Sequence, residues 1–124
     1  MKKILEKIIE ILGTKYTIIN AYNGEEVVNP DGVIAVQMTN CEIIHNGPYQ
    51  DKKYTFTISG QTITDEDINQ KRIVEMFEFV ENKDFNALME MDGVAGFIYD
   101  SSDMSSNGET NNFTFTFSVF YCQS

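Results

Sequence analysis

Acid–base and nucleophilic chemistry at neutral pH draws on a histidine, an activated cysteine or a matched pair of carboxylates, and this sequence is sparing with the first two. Its one histidine, His45, stands beside Asn46, Gly47 and Pro48, a turn composition in which an imidazole is solvated and has no nucleophile next to it. The two cysteines, Cys41 and Cys122, have neither zinc-ligand nor redox spacing. Each falls within or at the end of a β-like run, where a thiol behaves as a small apolar side chain. Asn23-Gly24 and Asp92-Gly93 are turn signals with no phosphate-cradling loop around them. Two carboxylates that met in the folded chain could work together as acid and base, but with 19 acidic against 9 basic residues adjacent acids are expected by chance. The acids of Asp65-Glu-Asp-Ile lack the alternating ligand spacing and distal glutamate of a calcium loop. The expectation is a non-enzyme with no catalytic residue, cofactor or metal.

What remains is a protein defined by its surfaces. A length of 124 residues fits one domain with a real core. A formal charge of −10 argues against wrapping nucleic acid, because neutralising phosphates takes clustered lysine and arginine. Like charge does suit a wall past which DNA slides without being gripped. At the amino terminus, Glu6, Lys7 and Glu10 interrupt any signal-peptide core, and no run reaches a membrane span. A soluble protein of a reducing cytoplasm is expected.

The elements that position these surfaces are led by the run Phe113-Thr-Phe-Thr-Phe-Ser-Val-Phe-Tyr. It puts Phe113, Phe115, Phe117, Val119 and Tyr121 on one side of an extended chain, with Thr114, Thr116, Ser118 and Phe120 on the other, the pattern of a half-buried strand. Burying a Phe contributes roughly 1.5–3 kcal/mol, against about 5–15 kcal/mol for the net stability of a domain, so this face needs a cover. Two amphipathic helices are available. Ile4, Leu5, Ile8, Ile9, Ile11 and Leu12 repeat at helical spacing before Gly13, and Ile68, Ile73, Met76, Phe77 and Val80 form the stripe of a helix opened by the weak capping box Thr64-Asp-Glu-Asp. Residues 16–22 read as a candidate strand, and Pro30 and Gly32 mark a loop. Ile34, Val36 and Met38 alternate, as do Tyr54, Phe56 and Ile58, around the turn at 45–48, which predicts a hairpin with a loop longer than two residues. Thr55, Thr57 and Ser59 on its other side predict a sheet face that is wet or covered by another subunit. A short helix over 84–90, a strand over 94–99 and a polar loop over 100–112 complete the reading. The fold class expected is α+β: a single, mainly antiparallel sheet built from two hairpins and packed against two or three α-helices.

This order of elements resembles the tail terminator, or tail completion, proteins of lambda-like long-tailed bacteriophages. The similarity is carried by Val33-Ile-Ala-Val-Gln-Met-Thr-Asn-Cys-Glu leading into the first hairpin, by the helix begun at Thr64, and by the aromatic run at 113–121. The resemblance implies a structural protein of the virion neck, made in the host bacterial cytoplasm. It would form a ring, usually a hexamer, on the head-proximal end of the tail tube, stop tube polymerisation and offer a surface to the head connector. Its partners would be itself, the tail-tube protein and the connector, with DNA passing through without specific binding and no membrane involved. The chain departs from that pattern in its long segment at 100–112 and its few bases.

Partner contacts are expected in the two polar, turn-rich hairpin tips, at His45, Asn46, Tyr49 and Asp51 in the first and Asp100, Asp103, Met104 and Glu109 in the second. The alternative reading is a small acidic immunity or inhibitor-type protein that masks a basic partner by charge complementarity.

Overall fold

A computed structural model describes residues 2–20, 33–46, 50–63, 67–106 and 110–122. The elements run in the order α1 (Lys2–Leu12), β1 (Thr17–Asn20), β2 (Val33–Asn46), β3 (Gln50–Ile63), α2 (Asp67–Glu81), a 3-10 helix (Phe85–Glu90), β4 (Val94–Ser106) and β5 (Thr110–Cys122). The fold is α+β, with one mixed five-stranded sheet in the order β1-β2-β3-β5-β4. β1 pairs parallel with β2, through Thr17–Val33 to Asn20–Val36, and every other pair is antiparallel.

The core forms on one face of this sheet because the apolar positions of neighbouring strands fall opposite one another. Val36 pairs with Ile58 and Ile58 with Phe115; Met38 pairs with Phe56 and Phe56 with Phe117; Tyr54 pairs with Val119. Ile4, Ile8 and Leu12 of α1, Ile73, Met76 and Val80 of α2, and Phe85 and Leu88 of the 3-10 helix close over that face. Phe117 is fully buried between Phe56 and Phe85, at ring-centroid distances of 5.8 and 5.1 Å. Phe77 of α2 meets Phe113 and Phe115 edge-on, at 5.8 and 6.3 Å, a geometry favoured by the ring quadrupoles. Gly60, paired with Phe113, carries no side chain because the Phe113 ring lies where a Cβ would stand.

Several boundaries differ from the sequence expectations. The polar segment at 100–112 is not a loop: β4 continues to Ser106, β5 begins at Thr110, and the ladder runs to Ser106–Asn111. β2 extends through His45 and Asn46, which pair with Asp51 and Gln50, so these two positions of the expected turn at 45–48 belong to the ladder, and Gly47 and Pro48 lie outside the described residues. The sheet has a fifth strand beyond the two hairpins, and its connection to β2 is parallel. Among the described residues the helices are two α-helices and one 3-10 helix capped by the Asp84 side chain, which accepts from the Asn86 N–H at 2.9 Å. Thr64, the expected cap of α2, lies outside the described residues.

Candidate functional site

The helices cover one face of the sheet and leave the other open. On the open face, β2, β3 and β5 present hydroxyl side chains wherever their partner positions hold core residues on the reverse side. Thr57 Oγ1 lies 3.4 Å from both Thr39 Oγ1 and Thr116 Oγ1, and Thr39 Oγ1 donates to the Thr55 carbonyl at 3.4 Å. Each hydroxyl has one proton, so this row reads in one direction, Thr116 to Thr57 to Thr39 to backbone. A second row is shorter and tighter. Ser118 Oγ donates to Asp100 Oδ2 at 2.6 Å, which leaves Thr55 Oγ1 to donate to Ser118 Oγ at 3.1 Å. A hydroxyl-to-carboxylate bond of this length is charge-assisted, and it satisfies Ser118, which is fully buried.

Asp100 reaches Ser118 because the β4–β5 register shifts between Tyr99 and Ser101, a bulge that turns its side chain onto the open face. Acids dominate the charge of this face: Glu42, Asp51, Asp100 and Asp103 stand there, with Lys53 opposite Glu42. Towards the β4–β5 tip the face dips into a shallow concavity of about 360 Å³, lined by Ile19, Ala35, Ser59, Gln61, Asn112 and Thr114. Its described lining offers hydrogen-bonding groups at Ser59, Gln61, Asn112 and Thr114 and apolar contact at Ile19 and Ala35.

The sequence-selected partner residues do not form one site. His45, Asn46 and Asp51 lie at one end of the sheet, where Asp51 also pairs with Cys122. Asp103 and Met104 lie towards the other end, paired with Thr114 and Phe113, while Asp100 sits between. Tyr49 and Glu109 lie outside the described residues. From Asp51 to Ile63, β3 spans roughly 40 Å at about 3.3 Å per residue, so the two tips address opposite ends of the molecule. At the first end, hydrogen bonding to the Asp51 carboxylate, together with desolvation and its charge, holds the Cys122 thiol above its usual pKa. Cys41 and Cys122 are both exposed free thiols.

Sequence reasoning found the hydroxyl rows through the alternating Thr and Ser positions. It named Asp100 as a partner contact in the second tip but not as the carboxylate that terminates one of these rows, because a bulge has no periodic signature. It also missed that exposed apolar side chains gather on the sheet's edges: Ile43 and Ile44 on β2, and Ile98, Tyr99 and Met104 on β4. Among the described residues no group of three or more His, Cys, Asp and Glu side chains is arranged to hold a metal ion. Among the described residues no helix is long and apolar enough to cross a membrane. The sequence matches no protein-family model and no curated protein.

Proposed function

We propose that this chain is a structural assembly subunit of the tail-terminator kind. It builds a homo-oligomeric ring, with six copies the expected number, that closes the head-proximal end of a phage tail tube, stops its growth and presents a joining surface to the head connector. The observation that carries this reading is the placement of the two hairpins at opposite ends of one sheet, with an uncovered hydroxyl-rich face between them. A subunit of such a ring needs two axial ends of different composition, one for the tube and one for the connector. Here one end carries Ile43, Ile44, Lys52 and Cys122, and the other carries Asp103, Met104, Ser105 and Ser106. The open face, with Glu42, Asp51, Asp100 and Asp103, suits the wall of a channel through which DNA moves without being held. The chain acts without catalysis.

The test is sedimentation of the purified protein over a range of concentrations, together with electron microscopy of tails assembled with and without it. Rings in concentrated solution and on the tube end, and tubes of uncontrolled length without the protein, are the expected results. A protein that stays monomeric, is absent from the tail end and captures a basic partner is instead an acidic binding protein.

A further inference from the structure

β4 is an edge strand, and the side of it away from β5 has no partner strand among the described residues. Beside that edge, on the helix side of the sheet, two hollows separate β4 from α2. One of about 280 Å³ is lined by Glu81, Tyr99, Asp100 and Phe115; the other, of about 240 Å³, by Ile73, Val74, Met104 and Asn111. Apolar side chains stand open along this groove, with Tyr99 53% and Met104 46% exposed. Asn111 is only 3% exposed, and its Nδ2 has no hydrogen-bond partner among the described residues. A buried amide without a partner costs stability, and here it lines a hollow next to an unpaired strand. Unpaired backbone N–H and C=O groups in a row are complemented by one kind of ligand, another extended strand.

The chain carries a second edge of matching character. Past Val36, β2 has no partner on its outer side among the described residues. Ile43 and Ile44 stand 54% and 51% exposed there, and Ile43 is paired with Lys52. We propose that the groove between β4 and α2 is the docking site for the free edge of β2 from a second copy of this chain, so that neighbouring sheets join head to tail. This deepens the ring reading and rests on it.

Three features select this occupant. Direction is the first: β2 and β4 run oppositely within the sheet, so a copy rotated about an axis along the strands brings β2 antiparallel to β4 with the helices on the same side. Such a heterologous contact repeats, and the ring closes when the rotation does. Charge is the second. Glu81 gives the groove an acidic side chain on its helix side, and the incoming edge carries Lys52 beside Ile43 on that same side.

The third is register. Shifts in pairing interrupt β2 between Met38 and Asn40 and between Ile43 and His45, and β4 between Tyr99 and Ser101. The regular stretches left to meet are residues 40–43 of one copy and 101–106 of the next. Within one sheet Cys41 stands level with Phe97, through Tyr54 and Val119. Ser102 stands level with Phe115, four rungs along β5 from Val119 because of the shift after Tyr99, so meeting at Ser102 offsets neighbours by roughly 13 Å at about 3.3 Å a rung, the kind of stagger a sheet adopts when it closes on itself.

Cys41 makes the contact testable, because it lies on the proposed edge and is exposed. In a Cys122→Ser background, one new cysteine is introduced at Ser102→Cys, Met104→Cys or Ser106→Cys, and diamide is added at concentrations where sedimentation detects oligomers. The expected result is a non-reducing ladder of dimer, trimer and larger species for at least one position, abolished by Cys41→Ser, since a disulfide requires Cα atoms within about 7 Å. Dimers alone that survive Cys41→Ser would mean that β4 pairs with β4, and overturn the proposal. Oligomers in which none of the three positions joins Cys41 would overturn it while leaving the ring reading standing. A monomer at every concentration would end both. Independently, Asn111→Leu should leave the monomer's melting temperature unchanged or raised while weakening assembly by roughly tenfold; assembly as strong as before would count against the role given to the amide.

Discussion

Phe117 holds the core at its centre, fully buried and stacked between rings from β3 and from the 3-10 helix. Phe117→Ala should lower stability by about 3–5 kcal/mol, since neighbours anchored on a sheet and a helix cannot collapse into the space; chemical denaturation with unchanged m-value measures it. Gly60→Ala should be damaging for the opposite reason. Its new methyl would enter the Phe113 ring, itself fully buried, and overpacking of this kind costs about 1–3 kcal/mol. Cys122 gives a prediction in pH. The neighbouring Asp51 carboxylate holds the thiol above its ordinary pKa, so less thiolate exists at a given pH and alkylation is slowed. Asp51→Asn removes that charge and should move the pH profile of iodoacetamide labelling downwards, raising the rate near pH 8; an unmoved profile would exclude the contact in solution.

At the scale of elements, the second hairpin is the part that divides folding from assembly. Its outer portion, Ser105 and Ser106 against Asn112 and Asn111, lies beyond the aromatic ladder. Replacing residues 105–112 by a two-residue Asn-Gly turn, which keeps Met104 opposite Phe113, should leave a folded monomer, with a smaller loss of melting temperature than Phe117→Ala causes. The same shortening should weaken oligomerisation, because it removes part of the 101–106 stretch and Asn111. The aromatic strand, both α-helices and the first hairpin were legible in the sequence because burial on one face imprints a period, as at Phe113, Phe115 and Phe117. The extension of β4 through Ser101 to Ser106 was not. Its residues are Ser, Asp and Met with little burial, and they form a strand because β5 supplies backbone partners. The candidate surface was half legible for the same reason: alternating threonines announce an open face, whereas the gathering of Ile43, Ile44, Ile98 and Tyr99 on edges depends on strand order, which local pattern does not encode.

For the whole molecule, charge sets the terms of association. Copies of net charge −10 repel, and the repulsion shortens in range from about 30 Å at 0.01 M salt to about 8 Å at 0.15 M. Self-association should therefore strengthen between those salt concentrations, as read by sedimentation equilibrium; weakening with salt would mean that ion pairs rather than apolar and backbone contacts hold the copies together. The arrangement of the hairpins has a mechanical side as well. β3 and β5 are paired from Asp51–Cys122 to Ile63–Thr110, and their hairpins leave at opposite ends. Tension applied between the two tips therefore runs along the strands, across hydrogen bonds that lie perpendicular to it, and loads the ladder's rungs together in shear instead of peeling them one at a time. A joint built from such subunits resists being pulled apart along its axis far better than one whose strands are opened from an end.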